Sequence, residues 1–173
     1  MFAALLMLAA VQAAASPATP ADDPLAPARA GKLRCVNPDP TRRNCASLIR
    51  FQVHGDGSFD ATVTGMLEPS VLIVYETSGQ IDGQAVCSPV RISDFTSGQF
   101  FVDGKPATAA QAGEIKERLL ARMRDITGKR RCFIDQPAGG GIVSNVTIEG
   151  AVHPEMRQQV AWVAPSDGYA IGE

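Results

Sequence analysis

Four cysteines, two histidines and one run of basic residues are the groups in this chain with chemistry to offer. Cys35, Cys45, Cys87 and Cys132 contain no C-x-x-C spacing. That argues against a zinc site or a dithiol redox motif. An even number of cysteines suits disulfides in an oxidising compartment. Three pairings exist, and Cys35 with Cys45 plus Cys87 with Cys132 is the favoured one. The first closes the turn-rich loop 36–44, stiffened by Pro38 and Pro40. The second closes a longer loop. In the chain-entropy picture these cross-links contribute roughly 3 and roughly 4 kcal/mol.

General-base chemistry would have to draw on His54, His153 or a carboxylate. His54 lies two residues before Asp56 in Gly-rich turn sequence, and His153 lies two residues before Glu155. G-x-S-x-G, Walker A, G-x-G-x-x-G, H-E-x-x-H and S-x-x-K are all absent. Asp56, Ser58 and Asp60 echo a calcium loop but lack its glycine and distal glutamate. Gly139, Gly140 and Gly141 separate two alternating stretches, which reads as a hairpin turn rather than a phosphate cradle. The sequence therefore names no catalytic residue, no metal ligand and no cofactor.

Charge is the remaining feature. Between Lys105 and Arg131 stand eight basic and three acidic residues, while the whole chain has 16 basic and 18 acidic ones. The basic residues crowd at Arg122, Arg124, Lys129, Arg130 and Arg131. A cationic end of this kind suits an anionic envelope component or an acidic protein partner. Nucleic acid is not expected, because no aromatic residues are interleaved with the basic ones.

The N-terminus bears on compartment. Residues 3–15 are apolar except for Gln12, too short to span a bilayer, and are followed by small residues. Residues 1–15 read as a signal peptide, although no Lys or Arg precedes the apolar run. Residues 16–34 carry Pro17, Pro20, Pro24 and Pro27 among alanines and read as a disordered linker. A single domain is expected over 35–173, periplasmic or secreted, with no transmembrane segment in the mature chain.

The elements that would position these groups follow from periodicity. Ile49, Phe51 and Val53, then Phe59, Ala61 and Val63, alternate with polar neighbours around a turn at 54–58. This pattern predicts an antiparallel hairpin. Residues 71–74 predict a short buried strand, and 79–83 a turn. Ala112, Ile115, Leu119, Met123 and Ile126 form one helical stripe over 109–127, started by a Thr108/Gln111 capping box and stopped at Gly128. About three strands follow, the last carrying Trp162.

Strands, one long helix, then strands imply an α+β domain. The expected form is an antiparallel β-sheet with the amphipathic α-helix packed on one face, two-layer and disulfide-stapled. The expected role is a small exported, non-catalytic binding or accessory protein of the cell envelope. A small hydrolase using a His or carboxylate base is one alternative. An inhibitor or immunity-like protein presenting the loop between Cys35 and Cys45 is another.

Overall fold

A computed structural model describes residues 23–172. The apolar segment 1–15 and the linker up to residue 22 lie outside the described residues.

Eight strands form the body: β1 (Leu33–Val36), β2 (Ser47–Val53), β3 (Ser58–Glu68), β4 (Val71–Asp82), β5 (Ala85–Pro89), β6 (Arg130–Ala138), β7 (Gly141–Ile148) and β8 (Gln158–Val163). Each pairs antiparallel with its neighbours in sequence, and β1 pairs with β8, so the sheet closes on itself. The result is an up-and-down barrel without a free edge around its circumference.

This corrects the two-layer expectation. The described residues are mostly β, and only one helix among them is long. Alternation reads the same in an open sheet and a barrel, because both have one apolar face. Closure comes instead from strand twist and length. β3 and β4 run 11 and 12 residues, pair along most of that length and carry the sheet round.

The amphipathic helix, α3 (Ala109–Met123), belongs to an insertion between β5 and β6. Its capping box forms as the sequence predicts, with Thr108 accepting from the Gln111 amide. A short helix, α2 (Ile92–Thr96), precedes it, and the strand Gln99–Val102 adds to the start of β4 as a small wing. Ile115 and Met123 pack there with Ile73, Val90, Phe95 and Phe100. The amphipathic helix therefore packs over this wing rather than across a whole sheet face. Ile73 shares its strand face with Tyr75, so the insertion covers one end of the barrel.

A four-residue helix, α1 (Ala26–Arg29), covers the other end. Leu25 just before it is fully buried and packs with Phe59 and Ala61, with Phe51, Val86 and Trp162 around them. Residues 23–34 thus belong to the fold, and β1 begins before Cys35. In a stretch read as linker, Leu25 and Leu33 are the two large apolar side chains, and both are used.

Both disulfides form with the favoured pairing. Cys35–Cys45 ties β1 to the segment Asn44–Cys45, which pairs in parallel with Ala170–Ile171. Cys87 and Cys132 are direct register partners on β5 and β6. That bridge clips the seam from which the insertion departs.

Gly79 lies inside β4 rather than in a turn. A Cβ there would collide with the Cys87 carbonyl and the Phe59 ring. Its role is close approach of β4 to β5, for which only glycine has room.

Candidate functional site

The barrel encloses a cavity of about 360 Å³. That is within the range of small-molecule sites, and eight strands are enough to leave room for one small ligand. Strand alternation sets the lining. Ile49, Phe51, Val63, Val146 and Trp162 supply an apolar wall. Polar groups enter from Arg34 on β1, Ser47 on β2, Tyr75 and Thr77 on β4, Ser88 on β5, Arg131 and Asp135 on β6, and Gln158 on β8.

Arg34 is a satisfied cation. Only 4% exposed, its guanidinium makes a fork to Asp135, Nη2 to Oδ1 at 2.9 Å and Nε to Oδ2 at 3.4 Å. Nη2 also donates to Ser144 Oγ at 2.8 Å. Such two-pronged pairing offsets the desolvation of both charges.

Arg131 is different. Its guanidinium lies 4.9 Å from the centre of the Phe133 ring, and that of Arg34 lies 5.2 Å from the same centre. The ring is shared by two cations. Yet no carboxylate among the described residues stands within ion-pair distance of Arg131. Its Nε is buried and has no hydrogen-bond acceptor. An unmatched buried donor costs about 1–3 kcal/mol, and more when charged. Tyr75 stands beside it, with its ring 4.6 Å from that of Phe95 on α2. Burial pushes the Tyr75 phenol above its ordinary range, while the Arg131 cation pulls the other way. The hydroxyl stays neutral and available as a donor. The other nearby carboxylate, Asp94, is engaged: Thr77 donates to it at 2.8 Å, and Arg91 lies 3.5 Å away.

The five basic residues read from the sequence do not stay together. Arg122, with Arg118, reaches Glu68, at 3.1 and 3.4 Å respectively. Arg130 pairs with Asp82. Arg124 and Lys129 are exposed. Arg131 turns inward, because adjacent residues of a strand face opposite sides. The spacing Arg131, Phe133, Asp135 was the signal for this: three residues two apart belong to one face of a strand.

Neither histidine reaches the cavity. His54 Nε2 lies 2.9 Å from Asp60 in the β2–β3 hairpin, and His153 Nδ1 lies 2.7 Å from Glu155 after β7. The His153 contact holds the Glu155 carboxyl below its ordinary range. Asp56 accepts from the Ser58 hydroxyl and amide, which lowers it as well and accounts for the resemblance to a calcium loop. Among the described residues no group of three His, Cys, Asp or Glu is placed to hold a metal. Likewise, no described helix is long and apolar enough to cross a membrane.

The site is thus a largely apolar chamber with one neutralised arginine and one that is not. Comparison of the chain with protein-family models, with curated proteins and with solved structures finds no match.

Proposed function

We propose that this chain is an exported, non-catalytic binding protein that holds one small, mostly apolar molecule inside the barrel. The cavity carries the reading: a chamber of about 360 Å³ inside the barrel, walled mostly by apolar side chains. Its one lining carboxylate that could act as a base, Asp135, is held by Arg34. This supports binding over the hydrolase alternative. The two disulfides fit an oxidising compartment, periplasmic or extracellular.

Trp162 is the only tryptophan and stands in the cavity wall, so its fluorescence reports occupancy. Titration with 1-decanol should give a saturable, one-to-one change in emission. Val63→Phe, which fills the chamber from β3, should abolish it while leaving the far-ultraviolet circular dichroism intact. A response that never saturates, or one that folded Val63→Phe leaves unchanged, would overturn the reading.

A further inference from the structure

We infer that the occupant is an amphipathic monoanion, a carboxylic acid with an apolar tail, whose head group is received by Arg131 and Tyr75. This rests on the barrel interior being a binding site, and it adds the chemical class of ligand.

Three observations converge. Two guanidinium groups and one carboxylate line the chamber, and the carboxylate belongs to Arg34 through two contacts. The chamber therefore holds one cation in excess, at Arg131. The Arg131 Nε is a buried donor without an acceptor. A carboxylate is the acceptor whose two oxygens match the guanidinium fork. Tyr75, kept neutral by burial, stands beside that guanidinium as a further donor. Ser88, the register partner of Arg131 across the β5–β6 seam, also lines the chamber.

The balance of charge selects a single negative charge. A doubly charged phosphate would exceed the one free cation and face Asp135 in the same enclosure. The rest of the wall selects the tail. Ile49, Phe51, Val63 and Trp162 offer apolar surface toward Leu25, which closes the α1 end. Phe133 backs the head-group site, with the Arg131 guanidinium over its ring at 4.9 Å from the centre.

The test compares two probes of equal chain length, decanoate and 1-decanol, by Trp162 fluorescence at neutral pH. Decanoate should bind the native protein roughly ten- to a hundredfold more tightly than decanol, the range expected for a charge-assisted hydrogen bond. Arg131→Met should remove that preference, so that the variant binds decanoate no more tightly than it binds decanol. Arg131→Lys should retain part of the preference, because it keeps the charge and loses the fork.

Equal binding of both probes to the native protein overturns the inference and leaves the cavity reading intact; this comparison needs no variant to fold. An acid preference that survives in folded Arg131→Met also overturns it, because the anion would then be read elsewhere. Failure of both probes to bind counts against the cavity reading itself.

Discussion

The β1 wall and the β6 wall of the chamber each present an arginine, and the two guanidiniums flank one phenyl ring. On the β1 side, Arg34 is held by Asp135 and Ser144 and has nothing left to offer a visitor. On the β6 side, Arg131 has the ring, a neighbouring tyrosine and a buried Nε with no acceptor. Both are arginines lining the same chamber, Arg34 buried and Arg131 half-buried; what separates them most is the presence of a counter-charge. A buried cation with its anion is part of the scaffold. A half-buried cation whose Nε has no acceptor carries a cost, and an occupant of opposite charge would relieve it.

The sharpest way to break this contrast is Asp135→Ala. It would leave Arg34 buried and without a counter-ion, so it should destabilise the protein by about 3–5 kcal/mol. Urea denaturation would show this as a lower midpoint with little change in slope. A loss under about 1 kcal/mol would mean that Ser144 alone satisfies Arg34, and the two walls would be alike.

Arg131→Met on the empty protein should go the other way. Removing a half-buried charge that has no counter-ion, while keeping an apolar side chain, should leave stability unchanged or raise it by up to about 1 kcal/mol. Denaturation of native protein and variant, both free of ligand, checks this directly. A large loss would show that Arg131 holds the barrel together as Arg34 does.

The smallest effect belongs to Tyr75→Phe and is confined to alkaline solution. The Tyr75 phenol is raised above its ordinary value of 10.0 in the folded state. The folded state therefore keeps a proton that the unfolded chain releases. This contribution is whole below pH 10 and is lost as pH climbs through the raised value. The stability difference between native protein and Tyr75→Phe should accordingly shrink above pH 10. Parallel pH–stability curves would show that Tyr75 is not buried against Arg131.

Some of this was legible in the sequence. The β2–β3 hairpin follows from Ile49, Phe51 and Val53 facing Phe59, Ala61 and Val63. The helix stripe from Ala112 to Ile126 gives α3, and both cysteine pairs come out as favoured. The chamber was harder to read because its polar residues disguise the strands that carry them. Residues 71–74 read as a short strand, since Tyr75, Glu76, Thr77 and Ser78 look like a polar exit. In the barrel Tyr75 and Thr77 face inward, and β4 continues to Asp82. Arg131 was grouped with Arg130 because a helix end was the nearest context. One residue of strand parity separates a surface cation from an interior one. Arg34 was concealed by the Pro/Ala-rich composition before it, and its partner Asp135 lies across the barrel on β6.

Closure of the barrel also fixes when the chamber comes into being. Most seams join strands linked by short turns and form locally. The β5–β6 seam spans the insertion and is clipped by Cys87–Cys132. The β1–β8 seam, where Leu33 meets Val163, joins the first barrel strand to the last and has no such clip. Contacts this distant in sequence form late, because the intervening chain must be ordered first. The Arg34–Asp135 pair and the apolar wall are thus assembled only when the final strand has docked. A chain emerging from its N-terminus would have no interior until the last barrel strand arrived, so any occupant would enter after folding rather than guide it.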